Sequence, residues 1–397
     1  GTAPAAARPP WFVERPSLEN AVLRLHEELL DFAHFMKHTP AEVQARTRWV
    51  KALKGACRKI WPSCKVQVFG SFFTGISLPN GDVDMVVTKM TDEPSVAMKK
   101  LGELLLASGE VSSLELIEAA KVPVLKVRSQ ACGLRADVVF NQPDGIKSSE
   151  WVRDRLEEYP QMRPMIVFLK YFLLQRGLHE TYTGGMGSYL LCNLVLHFCQ
   201  RHPARWNAQR YTATSLGHLL FDFFKYYGHD FRYDTDGISV VGSGCTFKKA
   251  ERGWYNNNRR GGLSLCLESP LEPSRDMGGA CFRIGVLKNL FNHVHQCICH
   301  LFSSTEPVTD CSLLCPLLID QKHPVITGRY KLMAEQPVAL PGLPKASDLL
   351  ADVSEVEEET EQAAAPRKAK RRRRDAAEAD GSDDVTNVAG KTDIKDS

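Results

Sequence analysis

Val66-Gln67-Val68-Phe69-Gly70-Ser71, followed by Gly81-Asp82-Val83-Asp84-Met85-Val86-Val87-Thr88, is the stretch on which the reading of this chain turns. Both runs are apolar and β-branched, so each reads as a strand. The two-residue period of a strand puts Asp82 and Asp84 on one face and Val83 and Met85 on the other. Two carboxylates facing one point are costly to bury unless a cation neutralises them, so Asp-Val-Asp in an apolar strand asks for a divalent metal. Mg2+ fits such hard oxygen ligands best, because substrate phosphates can complete its shell. Gly70 lets the backbone approach an anionic group, and Ser71 offers a hydroxyl and an amide to phosphate oxygens at a helix N-terminus. Asp137, in Leu134-Arg135-Ala136-Asp137-Val138-Val139-Phe140, sits on a further strand that can lie beside the first and supply a third carboxylate. Asp82, Asp84 and Asp137 together make a two-metal site, one ion activating an attacking hydroxyl and the other holding leaving phosphates.

Around this site the composition sets bounds. The chain has 397 residues, 43% of them hydrophobic, enough for two domains and a tail. The apolar stretch from Tyr189 to Cys199 is broken by Asn193 and His197 and falls short of the roughly twenty residues a membrane span needs, so no membrane association is expected. The alanine- and proline-rich start, without an apolar leader, reads as a truncated or processed disordered lead over residues 1–16. Twelve scattered cysteines suit reduced thiols in the cytosol or nucleus. From Ala351 to Ser397 there are nine Lys/Arg and thirteen Asp/Glu, so the body carries +7 and the tail −4, a mildly basic surface suited to polyanions.

Periodicity predicts a helix from Ser17, as N-cap, to about Met36, and a second from Thr39-Pro40 to near Trp61. Strands are expected at Val66–Phe69, Val83–Thr88, Val122–Val127 and Arg135–Phe140, with a helix from Pro94 to about Ser108. Beyond Gly145 the chain turns helical, most strongly over Met162–Leu174, Gly187–Cys199, Ser215–Tyr227 and Phe282–Phe302. The fold class is therefore α+β, a mixed sheet with helical cover over 17–157 and a mainly helical second domain over 158–335, with a cleft between them. Residues 336–397 hold hardly an aromatic residue and read as a disordered tail.

Gly70-Ser71, Asp82-Val83-Asp84 and Arg135 to Asn141 resemble the polymerase-beta-type nucleotidyltransferases. The second half narrows the likeness. Tyr159-Pro160, Leu169 to Leu178, Tyr182 to Gly185, Gly187-Ser188-Tyr189, Gly237-Ile238-Ser239 and Glu268 to Ser274 resemble the nuclear noncanonical poly(A) polymerases, catalytic subunits of TRAMP-type complexes. The resemblance covers residues 17 to 330. It implies that Asp82, Asp84 and Asp137 hold Mg2+ or Mn2+, with Asp137 helping to deprotonate an RNA 3′-hydroxyl. It further implies that Gly70 and Ser71 bind a triphosphate, that Asn141 meets the ribose 2′-hydroxyl, and that Lys170, aided by Ser188, reaches the terminal phosphates. Tyr189 would stack under the base, and Glu268 and Arg275 belong to the base-recognition loop. The implied reaction is template-independent transfer of AMP from ATP to RNA 3′ ends, tagging RNA for the nuclear exosome, with a zinc-knuckle RNA-binding protein and an RNA helicase as partners.

Two departures bear on base choice. Where the family shows Glu-Asp-Pro this chain has Glu268-Ser269-Pro270, and the base-reading position holds Arg275. An arginine presents only donors and can serve uracil oxygens as well as adenine nitrogens, which makes a terminal uridylyltransferase the first rival. An inactive RNA-binding scaffold, against which the intact carboxylate triad argues, is the rival from another class. His293, His295, Cys297, Cys299, His300, Cys311 and Cys315 are metal-ligand types whose spacing fits no standard zinc module, so an ordinary packed helix is expected there. Arg367 to Arg374 is a basic run, read as a nuclear or nucleolar address, an RNA-holding arm, or both, with the acidic block Glu357–Glu361 beside it.

Overall fold

The α1 helix, Ala21–Met36, opens the fold, and Asn20 caps it by accepting the Leu23 N–H at 3.0 Å. The expected cap, Ser17, lies outside the described residues. A computed structural model of the chain describes residues 8–326, apart from 17, 19, 121, 204–214, 255–262, 304–310, 320–322 and 324. The first seven residues, the tail from 336 and the basic run 367–374 are likewise outside it. Helix α2, Pro40–Ile60, starts on a capping box in which Thr39 accepts from Glu42 N–H at 3.2 Å and Glu42 accepts from Thr39 N–H at 2.7 Å. Proline at the first helical position leaves no orphan donor there.

Strand β1, Lys65–Phe69, leads into a single turn of helix, α3, Gly70–Phe73, and then to β2, Val83–Thr88. Helix α4, Pro94–Ala107, precedes β3, Val111–Ile117, β4, Val124–Ser129, and β5, Arg135–Phe140. The strand expected from Val122 begins two residues later, and Val122 itself is exposed. These strands form one mixed sheet, ordered β1-β2-β5-β4-β3, in which only the central pair β2 and β5 is parallel. Strand β3 escapes a hydrophobicity reading because Ser112, Ser113, Glu115 and Leu116 are all exposed; its register against β4 gives it its place. On one sheet face Val66, Val83, Met85, Val87, Leu125, Val127, Ala136, Val138 and Phe140 are buried beneath α2 and α4. The other face carries the polar row described below.

Helix α5, Asp144–Glu158, packs on α3 and β1 and joins the sheet to a helical assembly of α6, Met162–Leu174, α7, Ser188–Arg201, α8, Leu216–Lys225, and, later in the chain, α9, Ile284–Ser303. The helix expected to reach Tyr227 ends at Lys225 and passes into a π turn over Tyr226–Asp230. A small ribbon, β6, Asp236–Ser239, with β7, Cys245–Lys248, flanks the assembly. Its core is aromatic: Phe32, Phe168, Tyr171, Phe172, Phe223, Phe224 and Phe291 are fully buried and meet largely edge to face. Helix α1 packs into this second core through Leu25, Leu29 and Phe32.

Two buried polar groups pin this part together. Glu28 accepts the Trp11 indole N–H at 3.1 Å, the Ser312 hydroxyl and the Leu313 N–H at 2.6 Å, joining segments 284 residues apart; burial pushes its carboxyl upward against those bonds. No described helix is long and apolar enough to cross a membrane, and all twelve cysteines are free thiols. His293 and His295 lie 3.6 Å from Cys297 and Cys299 respectively along α9, but no group of three metal-ligand residues forms among the described residues.

The second group is His197. Tyr227 Oη donates to Leu194 O at 3.0 Å, so the proton in its 2.8 Å contact with His197 belongs to the imidazole Nδ1. Burial pushes this imidazole down to about 3. A histidine kept neutral by the fold costs stability as pH falls below its unfolded value near 6.5, because the unfolded chain then binds the proton that the folded chain refuses. From pH 7.5 to 5.5 this amounts to about 1.4 kcal/mol. Thermal melts of wild type and His197→Gln at the two pH values are expected to show a flatter pH dependence in the variant; equal slopes would remove His197 from the acid response.

Candidate active site

Strand register assembles the site. Phe69 faces Asp84 across β1 and β2, Asp84 faces Asp137 across β2 and β5, and Asp137 faces Lys126 across β5 and β4. Residues paired across strands share a face, so Asp84, Asp137 and Lys126 form one transverse row. Asp82 sits one residue ahead of β2, on the side of Asp84. Lys126 Nζ is 2.5 Å from Asp137 Oδ2, and Arg135 Nε is 2.7 Å from Asp82 Oδ1. Asp84 has neither partner, and burial followed by the fields of Asp137 and Asp82 pushes its carboxyl up to about 7, against the pull of Lys170 and Lys126. Burial also raises Asp82, although Arg135 opposes it. Lys126, despite burial, is held above its ordinary range by its bond to Asp137.

Three mutually repelling carboxylates are a hard oxygen donor set of the kind that divalent Mg2+ or Mn2+ takes. The repulsion written into Asp84 is what such an ion relieves. Among the described residues the three do not gather as a group of three ligands; Arg135 and Lys126 engage Asp82 and Asp137 as internal counter-ions. The donor set fits the ion, with two basic side chains in its electrostatic role.

Gly70 stands against this row. Its φ of +73° is in the left-handed region, and a Cβ there would overlap Asp84 Oδ2, so both the backbone and the close approach demand glycine. The anionic group that Gly70 admits is thus the protein's own carboxylate. Ser71 follows in the first turn of α3 and is partly exposed. From α6, Arg163 donates to Thr74 O at 3.1 Å and Gly75 O at 2.8 Å, and Lys170 Nζ donates to Ile76 O at 3.1 Å. Burial lowers Lys170, and the field of Asp84 sustains its charge.

Asn141 directly follows β5 with φ +53°, a conformation asparagine tolerates better than most residues; its N–H donates to Val87 O at 2.8 Å and the residue is exposed. Ser188, exposed, begins α7, and Tyr189 beside it is partly buried within the field of Arg275. Arg275 is half exposed, with Glu272 at 3.8 Å. Glu268 is buried, its carboxylate held 2.5 Å from Arg252, which lies over the Phe247 ring at 3.8 Å. Asp276 braces the loop by accepting from Leu267 N–H at 2.9 Å and Gly278 N–H at 2.7 Å. Asp82, Asp84, Asp137, Gly70 and Lys170 therefore gather at one place, Tyr189 and Arg275 share a field, and Glu268 is turned to Arg252.

Arg46 of α2 was not legible as a site residue. It is fully buried, donates to Pro79 O at 2.7 Å and Gly81 O at 3.0 Å, and so holds the turn that delivers Asp82. Its cation and Asp82 interact, while burial lowers its pKa. Lys126 and Arg135 are two further residues of the site: Arg135, two places before Asp137, shares its face and is readable from the strand period, whereas Lys126 reaches Asp137 only through the register of the neighbouring strand.

A family model for the poly(A) RNA polymerase, mitochondrial-like, central palm domain matches residues 25–153, and one for the Cid1 family poly A polymerase matches residues 215–275. Poly(A) RNA polymerase CID14 of Cryptococcus neoformans is 30% identical over 306 residues, 76% of this chain and 40% of that protein. Trf4-2 of Drosophila melanogaster, described as an inactive noncanonical poly(A) RNA polymerase, is 33% identical over 274 residues, 68% of this chain and 67% of its own length. This chain thus spans well under half of the Cryptococcus relative. Among solved structures, the polymerase core of TRAMP, an RNA surveillance complex, matches with a TM-score of 0.68 at 24% identity, covering 80% of this chain and 98% of that one. The MgGTP-bound Cid1 poly(U) polymerase matches at 0.60 and 19%, covering 72% and 96%. The fold is accordingly that of polymerase-beta-like nucleotidyltransferases.

Gly70→Ala forces a left-handed alanine into the space of Asp84, a cost of about 1–2 kcal/mol. Titration calorimetry with Mn2+ and a nucleoside triphosphate is expected to lose its signal in the variant while circular dichroism shows the fold retained; undiminished binding would separate Gly70 from the site.

Proposed function

The chain belongs to the noncanonical poly(A) polymerase family, and on that premise we propose that it is a template-independent RNA 3′-adenylyltransferase. The observation that carries this reading is the row of Asp84 and Asp137 in register, with Asp82 beside it and Gly70 packed on Asp84. Asp82, Asp84 and Asp137 would hold Mg2+ or Mn2+, which when bound neutralises the carboxylates and the triphosphate. Asp137 takes the proton of the RNA 3′-hydroxyl; the freed oxygen forms a bond to the α-phosphorus of ATP as the bond to the bridging oxygen breaks, and pyrophosphate leaves with that electron pair. Lys170 and Ser188 hold the terminal phosphates, Ser71 binds the triphosphate, Asn141 meets the 2′-hydroxyl, and Tyr189 stacks under the base. Glu268 acts through Arg252 on the recognition loop, which leaves Arg275 to read the base edge. A nucleotidyltransferase part over 17–157 and a helical part over 158–335, with a cleft between them, is the division proposed; the sheet core supports the first, while α1 and the α5 residues Val152 and Leu156 pack into the helical core.

The likeness to the TRAMP polymerase core supports a place in RNA surveillance. RNA 3′ ends as substrates, a zinc-knuckle protein and a helicase as partners, and the nuclear exosome downstream are what the motif resemblance implies and are proposed with it. Two other readings each have an observation behind them. The likeness to the Cid1 poly(U) polymerase and the donor-only Arg275 favour UTP as a rival substrate. Trf4-2, described as inactive, favours a scaffold that keeps the fold without the chemistry, whereas the intact carboxylate triad of this chain argues for catalysis.

Incubating the purified chain with a labelled oligoribonucleotide, Mg2+ or Mn2+ and each NTP separately is expected to give extension with ATP, and Asp82→Ala is expected to lower it about a thousandfold or more. Preferential extension with UTP would move the chain to the uridylyltransferases. Extension equal in wild type and Asp82→Ala would sink the chemistry. Removing 367–374 from a fluorescent fusion is expected to shift it from nucleus to cytoplasm; an unchanged distribution would leave the basic run as an RNA-holding arm.

A further inference from the structure

Helix α5 makes a contact with the catalytic turn that none of the roles above explains. Ser149 is buried, and its hydroxyl donates to Gly145 O at 2.7 Å. A serine inside a helix commonly returns its proton to the carbonyl one turn back, so this bond is ordinary. Its second bond is not local, since the same oxygen accepts the Gly70 N–H at 2.7 Å, across 79 residues. Immediately before it, the Phe69 ring lies so close to Gly145 that a Cβ there would collide with it. Phe69 and Gly70 are thus seated on the first turns of α5 from two sides, by a ring against a glycine and by an amide against a hydroxyl.

This seat has two consequences for chemistry. The Gly70 N–H is consumed by Ser149 and cannot serve a phosphate, so the donors the turn can offer an anion begin at Ser71. Gly70 also touches Asp84, so whatever fixes Gly70 fixes where Asp84 Oδ2 can lie. Arg163 and Lys170 secure the far end of the turn at Thr74 to Ile76, but at its start the described residues place only the Ser149 bond on the Gly70 amide. With Ser149 replaced by alanine that amide would be left partly buried without a partner, and the turn would be free to rotate its N–H elsewhere.

We propose that Ser149 is a positioning residue of the nucleotide site: through the Gly70 amide it holds Ser71 and Asp84 in the spacing that binds a metal-complexed triphosphate. The inference rests on the nucleotidyltransferase reading and adds to it a residue outside every motif that carries that reading. Ser149 touches neither nucleotide nor metal; it acts through the turn.

The test compares wild type, Ser149→Ala and Ser149→Thr by calorimetric binding of Mg2+ with α,β-methylene-ATP, by binding of a labelled oligoribonucleotide, and by KM and kcat for ATP. Ser149→Ala is expected to weaken nucleotide binding and raise the KM for ATP about tenfold, the scale of one buried hydrogen bond, while leaving RNA affinity within twofold. Ser149→Thr, which keeps the hydroxyl, is expected to stay near wild type. Nucleotide affinity unchanged in Ser149→Ala would overturn the inference, as would an equal loss of RNA and nucleotide binding, which marks a structural role. If Ser149→Thr is too destabilised to purify, the split between nucleotide and RNA binding in Ser149→Ala decides alone. A wild type that binds UTP instead overturns the choice of base, and the same comparison then runs with a UTP analogue. A wild type that binds no nucleoside triphosphate overturns the functional reading itself and this inference with it.

Discussion

Like charge in a confined place is the constraint from which the rest of this structure follows. Asp82, Asp84 and Asp137 share one side of the sheet centre, and Asp84, without a basic partner of its own, bears the strain as a carboxyl pushed up to about 7. The surroundings answer that repulsion in layers. Lys126 and Arg135 supply charge within bonding distance, Lys170 supplies it through space, and Arg46 places a buried guanidinium behind the turn that delivers Asp82. Gly70 contributes by being small enough to let Asp84 lie against the backbone. A site built this way is electrostatically prepared for cations.

The helical part follows a different rule. Its interior is aromatic and holds few charges; Glu28, among the polar groups buried there, is met by Trp11, Ser312 and Leu313, and His197 is held at Nδ1 by Tyr227. Rigidity there serves the sheet indirectly, because α5 and α6 rise from this part and grip the turn between β1 and β2. Precision in the polar row depends on packing in the aromatic core.

How much of this was legible follows from where the information lies. The bounds of Val83–Thr88 and Arg135–Phe140 match the reading residue for residue, because short, valine-rich apolar runs favour a strand, and α2 was marked by Thr39 and Pro40. The carboxylates were legible because a two-residue period fixes a face without knowledge of any neighbour. Strand β3 was not, since its stability comes from pairing with β4 rather than from its own composition. Nor were Arg46 and Ser149, whose roles consist of hydrogen bonds to backbone atoms 33 and 79 residues away. Glu268 was read as a nucleotide contact, and its burial against Arg252 recasts how such a contact is made. The first cap was misplaced because Ser17 and Asn20 are both good caps, and only the geometry of the turn selects Asn20.

The sheet order also has a history in time. Strands β4 and β5 are joined by a short reversal, whereas β2 must wait for α4, β3 and β4 before its parallel neighbour exists. Closing a short loop loses less chain entropy than closing a long one, so the antiparallel hairpin forms at the lower entropic cost. The Lys126–Asp137 pair belongs to that hairpin. Where the hairpin forms first, Asp137 carries its counter-charge before Asp84 docks beside it, and the nascent sheet is spared an encounter between bare anions.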